Sequence, residues 1–403
     1  MSSALFKLPI PGPEEQEKSL TLAKRLIAQC EQAGGVISFS DYMATVLYDP
    51  EGGYYGSGQV RFGENGDFVT APERSPFFAM AIGHEISGLF DQGLPRQIIE
   101  FGAGSGRLAV DLLKDLAERD RLPDVYCIIE VSPALRARQQ ALAKEALPEA
   151  ISERLQWCDE TELFSDTLEG VVVANEFLDA MPVHRIRADE QGVVREMGVA
   201  WNGQRLQWQP LPAMSEELAM ALQELTRRAG HGLAPGQSTE LNLVMGQWLK
   251  RLKSAAGPAG LAVMLFDYGA TSVEMIRPDR IDGTLRCHYR QLAHDDPFVY
   301  PGLQDITAWV DFSAVRDAAL AAGFCVDVYQ SQASFVIASD APRRLENRMR
   351  DITDRRELNR LAQGFKELVM PTEMGERFRA MLLSVGREVR WQASAVRNEL
   401  PRL

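Results

Sequence analysis

The sequence predicts an α/β fold built on a parallel sheet covered on both faces, and three observations carry that prediction. Continuous apolar runs recur from Arg96 onward: "RQIIEF", "DVYCIIE", "RLQWC", "GVVVAN" and "GLAVMLFDYG". Helical stretches separate the first of them, "GRLAVDLLKDLAERD" and then "PALRARQQALAKEA". The runs end in glycine or polar residues, where an open α/β sheet presents its binding edge.

Taken in order, "IPGPEEQ" reads as a loop and residues 19–32 as a helix ended by Gly34 and Gly35. "ISFSDYMATVLYDP" predicts a second helix, with Ser40 at its N-cap and Pro50 as its stop. The stretches "YDPEGGYYGSG" and "NGDFVTAPE" run to Pro72, and a helix covers residues 76–91. Residues 1–92 thus form an N-terminal helical segment, and 93–183 the first part of the sheet core. Residues 184–236 break the alternation with short strands around Glu190-Gln191-Gly192 and Asn202-Gly203, the second a hairpin signal. They read as a β-rich insertion after the fourth strand. Residues 237–345 return to the core and include a long polar loop, 275–312, of a length that often carries function. "FCVDVYQSQASFVIAS" reads as a closing hairpin turning at "QSQAS", and residues 346–403, rich in Arg and Glu, as a helical tail.

The 403 residues allow one or two domains, with 45% apolar and 25% charged residues. A formal net charge of -13 argues against nonspecific binding to nucleic acid, which depends on neutralising phosphates. It suits a basic partner. The five cysteines are scattered without a CxxC, which fits buried thiols in a reducing compartment and argues against zinc. No apolar run approaches the roughly 20 residues of a membrane span. The first residues lack a signal-peptide core and are acidic for a transit peptide. A cytoplasmic protein without a membrane span is expected.

The candidate site begins at "IIEFGAGSG". Glu100 is followed by Gly102, Gly104 and Gly106, a G-x-G-x-G turn. The dinucleotide fingerprint needs G-x-G-x-x-G, and bulky Arg107 stands where its last glycine belongs. An acid ahead of the turn would repel a pyrophosphate but assist a cation, and S-adenosylmethionine carries an ammonium and a sulfonium. Glycines let the main chain approach it closely. At the next strand tip, in "IIEVS", Glu130 can accept from both ribose hydroxyls of an adenosine. Asp159, just beyond the third strand, can accept from an adenine amino group. Each also has a bland role: Glu130 as a solvated strand end, Asp159 as a structural acid. Their order along successive strand tips favours the cofactor. After the fourth strand, "NEFLDAMPVHR" clusters Asn175, Glu176 and Asp179, with His184 beyond. Glu176 and Asp179 share a face of a helical turn. They can grip a guanidinium fork, or cap the next helix, or both.

The blocks "GDFVTAPE", "EFGAGSG", "IIEVSP", "NEFLDAMPVHR", "FDYG", "GTLRCHYRQ" and "PTEMGERFRAM" occur in order over roughly residues 36–385. In them the chain resembles the MidA-like class I S-adenosylmethionine-dependent methyltransferases, the family of mitochondrial complex I assembly factor 7. The resemblance implies a Rossmann-like seven-stranded sheet with its last strand antiparallel. It also implies methylation of protein arginine. Two departures stand out. Phe78-Ala79-Met80 replaces a run in which an acid is expected near position 80, and Arg107 follows the glycine turn.

"YYGSG" and "NGDFVTAPE" then read as a lid over the carboxyl edge of the sheet. Asp67 and Thr70 cap its turns and join the cofactor-binding set, Phe68 covers the cofactor, and Glu73 reaches the substrate or the methionine end. The expectation is an S-adenosylmethionine-dependent methyltransferase acting on an arginine of a protein substrate. Glu176, Asp179 and Glu73 are its catalytic candidates. Two alternatives are an assembly or scaffold protein that retains the cofactor fold and a small-molecule methyltransferase. The hairpin insertion leaves a homodimer open.

Overall fold

The structure, a computed structural model, describes residues 8–58, 60, 63, 66 and 70–403. They fall into two compact units, one of residues 70–179, 244–275 and 309–403, the other of the described residues before 70 together with 180–243 and 276–308.

The first unit holds the large sheet. Its strands are β1 Gln97–Phe101, β2 Val125–Ile129, β3 Leu155–Cys158, β4 Leu168–Asn175, β5 Ala256–Ala270, β6 Cys325–Ser331 and β7 Phe378–Val385. They lie in the order β6-β7-β5-β4-β1-β2-β3, and Val310–Asp311 adds a short parallel pair beside β5. The strands from β1 to β5 pair in parallel, and β7 runs antiparallel to both its neighbours. The strand order reverses between β4 and β1. In such sheets that reversal opens a crevice at the carboxyl ends of the two strands.

The apolar runs form strands because both faces are covered. Val171, Val172 and Val173 of β4 are fully buried, as are Ala262 to Phe266 of β5. On one face Phe78 of helix Pro76–Asp91 and Phe335 of helix Gln332–Ala338 pack against Phe266, with ring centres 5.2 and 4.8 Å away. On the other, Trp248 of helix Val244–Ala255 stands edge-on to Phe101 at 5.3 Å. Met80, where an acid was expected, is buried in the core cluster, so this helix offers no carboxylate there.

The second unit is β-rich. Val194–Trp201 pairs with Ile37–Ser38, His184–Ala188 and Leu206–Pro210, and His184–Ala188 also pairs with Ser238–Leu241. Helices Pro13–Gln32, Phe39–Tyr48 and Glu216–Ala229 belong to it. Among the described residues no helix is long and apolar enough to cross a membrane.

Several local expectations change. Ser38, not Ser40, caps the second helix, because its hydroxyl accepts from Asp41 N–H at 3.0 Å. Residues 275–312 are not all loop, since Arg286–Tyr289 pairs with Leu292–His294 and Asp305–Thr307. The closing hairpin is absent. Ser331 ends β6 and caps helix Gln332–Ala338, its hydroxyl accepting from Ser334 N–H. The antiparallel partner of β6 is β7, from the expected helical tail, so the tail's α-helix ends at Val369, with only short 3-10 turns at Gln392–Ala395 and Leu400–Arg402 beyond β7. Phe378 to Val385 lacks the spacing of an amphipathic helix because a central strand buries both faces. Cys127 and Cys158 are not separate thiols. They are joined as a disulfide between β2 and β3, with Cα atoms 6.2 Å apart.

Gly170 shows how tightly β4 enters the sheet. It has φ +100°, and a Cβ there would lie 2.4 Å from the Gln97 carbonyl oxygen. Gly170→Ala is expected to lower the unfolding free energy by about 3 kcal/mol. Chemical denaturation measures this, and an unchanged midpoint would contradict so close an approach.

Candidate active site

β1 runs straight into the glycine turn. Gly102, Gly104 and Gly106 all have positive φ, +70°, +54° and +83°, and Arg107 then opens helix Arg107–Glu118. At Gly102 a side chain is excluded twice, by its left-handed backbone and by the Phe177 ring, 3.1 Å from where a Cβ would lie. Arg107 follows its own helix, and its Nε donates to Asp111 at 2.8 Å. Inside the turn the Ser105 hydroxyl donates to the Glu73 carboxylate, which fixes Glu73 beside the glycines. Helix Ala71–Arg74 carries Glu73 there.

Glu100 is buried, and Tyr126 Oη donates to it at 2.9 Å. Burial pushes its carboxyl up to about 7. The Tyr126 hydrogen bond opposes that rise, and the charge of Glu130 adds to it. Glu130 accepts from Ser132 N–H at 2.9 Å and from Gln139 Nε2 at 3.0 Å. Burial, the largest influence on it, raises its carboxyl above the usual range. Gln139 also donates to the Gly104 carbonyl at 2.9 Å and accepts from Trp157 Nε1 at 2.8 Å. One amide thus joins the glycine turn, the β2 tip and β3. Asp159 caps helix Glu160–Leu163. It is exposed, and the Thr161 N–H, at 2.8 Å, holds its carboxyl below the ordinary range.

The end of β4 is a second constructed turn. Asn175 is buried, with its amide nitrogen 3.3 Å from Glu176 Oε1 and its Oδ1 without a hydrogen-bond partner. Glu176 has φ +50°, a conformation that costs a non-glycine residue roughly 1–3 kcal/mol. Its N–H donates to the Phe266 carbonyl at 2.8 Å, and its carboxylate accepts from Ala71 N–H at 3.3 Å. Asp179 is buried three residues on. Behind both lies Asp267 of β5, whose carboxylate accepts from the N–H groups of Phe177, Leu178 and Asp179.

The carboxyl edge therefore brings together Glu73, Glu100, the three glycines, Glu130, Asn175, Glu176 and Asp179. Asp159 sits at the adjoining β3 tip as a helix cap. Thr70 occupies the N-cap of helix Ala71–Arg74 without a side-chain cap bond. Asp67 and Phe68 lie outside the described residues. His184 belongs to the other unit and pairs with Glu196 at 2.7 Å. Sequence reasoning missed Ser105, Tyr126 and Gln139. Gln139 left a signal, since it falls between Leu135 and Ala143 on the buried stripe of its helix.

A family described as "Putative S-adenosyl-L-methionine-dependent methyltransferase" matches residues 83–330. The chain belongs to this family. A crystal structure from Burkholderia thailandensis bound to S-adenosyl-homocysteine is 37% identical, covers 98% of this chain and 100% of its own, and superposes with a TM-score of 0.89. A native crystal structure from the same organism gives 36% and 0.87, over 98% and 100%. The mitochondrial protein arginine methyltransferase NDUFAF7 homolog of Drosophila melanogaster is 29% identical over 94% of this chain and 89% of its own. The human protein arginine methyltransferase NDUFAF7 is 27% identical over 91% and 84%. S-adenosylmethionine is the cofactor. The edge fits it chemically: bare main chain at Gly102, an unpartnered buried acceptor at Asn175, and acids whose charge a cation favours.

Glu100 makes this testable without ligand. Its folded-state value lies above the ordinary one, so the folded protein keeps a proton that the unfolded chain releases near pH 4.5. The stabilisation is complete below that pH and is lost as pH rises through about 7. Glu100→Gln keeps an acceptor for Tyr126 and should gain about 3 kcal/mol on the wild type between pH 5 and pH 8. Denaturation of both proteins across that range measures it, and a pH-independent difference would contradict the burial argument.

Proposed function

We propose that the chain is a protein arginine methyltransferase. The observation that carries this reading is the turn after β4, which holds Glu176 and Asp179 three residues apart at the carboxyl edge, with Glu73 tied to the glycine turn beside them. Carboxylates are the partners a guanidinium needs, because it stays protonated and offers a planar fork of donors. The mitochondrial relatives bear the name protein arginine methyltransferase, which supports the same substrate class.

S-adenosylmethionine supplies a methyl group on a sulfonium, an activated electrophile. The chain's task is to hold and orient the acceptor. Glu176 and Asp179 bind the guanidinium and turn one terminal nitrogen toward the methyl carbon. That nitrogen's electron pair forms the new N–C bond while the S–C pair stays on sulfur. The departing N–H proton passes to a carboxylate of the turn, with Glu176 as the acceptor. Asp179, buried, strengthens the grip because a low local dielectric favours a charge pair.

Glu176→Gln should leave the dissociation constant for S-adenosylmethionine within about threefold of the wild type and cut transfer to an arginine peptide by roughly 100-fold or more. Calorimetry and transfer of labelled methyl measure the two. Transfer at the wild-type rate would remove Glu176 from the mechanism.

A further inference from the structure

Asp267 lies within β5, one residue past Asn175–Phe266, the last pair of the β4–β5 ladder. It is only 1% exposed, so it is out of reach of a substrate. One oxygen, Oδ2, accepts from three consecutive main-chain N–H groups, Phe177 at 3.2 Å, Leu178 at 2.9 Å and Asp179 at 3.2 Å. Oδ1 accepts from Tyr268 N–H at 2.9 Å. Successive N–H groups converging after a left-handed residue form a nest for an anion. Here Glu176 is the left-handed residue, and the anion is a side chain of the neighbouring strand.

This arrangement is electrostatically costly. Burial, and after it the charge of Glu176, push the Asp267 carboxyl up, and the N–H groups of Asp179, Leu178 and Tyr268 pull it back down. A neutral amide would fit the space, but with its one oxygen toward the turn its NH₂ would face the Tyr268 N–H. A carboxylate alone accepts from all four groups.

We propose that Asp267 is the positioning residue of the acceptor site: by gathering the amides of Phe177, Leu178 and Asp179 it fixes the turn that presents Glu176 and Asp179 to the substrate cation. The proposal rests on the arginine reading of that pair for its kinetic consequence, but not for its structural one.

The full-length chain carrying Asp267→Ala, which removes both acceptor oxygens, tests it with two readouts. Hydrogen exchange at residues 177–179 should quicken by about tenfold or more, while the amides of the glycine turn stay as protected as before. Binding of S-adenosylmethionine should hold within about threefold, and kcat per cofactor-binding site should fall roughly 100-fold, because a small misplacement of the acceptor costs that much. A residue that only supported folding would lower the number of binding sites and leave kcat per site intact. Unchanged exchange at 177–179, or unchanged kcat per site, overturns the proposal. If the variant does not fold, the wild type still decides: its 177–179 amides must exchange far more slowly than those of the exposed hairpin tip at 202–204, and equal rates overturn it. If the wild type methylates no arginine peptide, the arginine reading fails alone, and the exchange comparison still judges Asp267.

Discussion

Glu100, Glu130 and Asp267 are carboxyl groups buried along one side of the sheet, where an ionised carboxyl has no water around it. The rest of the site follows from how that loss is met. Tyr126 donates to Glu100, Gln139 and Ser132 to Glu130, and four main-chain amides to Asp267. Donors of this kind orient the acids without neutralising them. For Glu100 and Glu130 a cationic ligand does what those donors cannot, which is why a sulfonium cofactor suits this edge and a pyrophosphate does not.

Much of the fold was legible because burial writes itself into a parallel strand. "VVVA" and "LAVMLF" are apolar at every position, and no half-exposed strand could be. β7 was not legible for the converse reason. "FRAMLLSV" carries an arginine and a serine, and it follows a long charged helix that made the whole tail look helical. Its place beside β5 is fixed by pairing with residues more than a hundred positions away, which no local pattern records. The turn at "QSQAS" failed through a competition between polar residues. Ser331 spends its hydroxyl on a helix cap and not on a hairpin.

The site divides along the same line. Glu100, the three glycines, Glu130 and the Asn175–Glu176–Asp179 cluster were legible because each sits at the end of a recognisable strand. Their supports were not. Ser105 looks like turn filler until Glu73 arrives from thirty-two residues upstream. Tyr126 reads as a core aromatic, and only strand adjacency turns its hydroxyl toward Glu100. Asp267 ends an apolar run much as Glu100 nearly does, so sequence offers the same reading for both. The difference is the nest of amides from β4, and that exists only once the two strands are paired.

The central claim is that Glu100, buried at this edge, holds a proton near neutrality and gives it up when a cation binds. Calorimetric titration of the wild type with S-adenosylmethionine, in buffers of differing ionisation enthalpy, counts the protons directly. Release should be large near pH 6, up to about one proton per site, and should fade above about pH 8, where Glu100 is already ionised. Heats that do not depend on the buffer at either pH would show that the edge is charged before the ligand arrives, and the electrostatic basis of the site would be wrong.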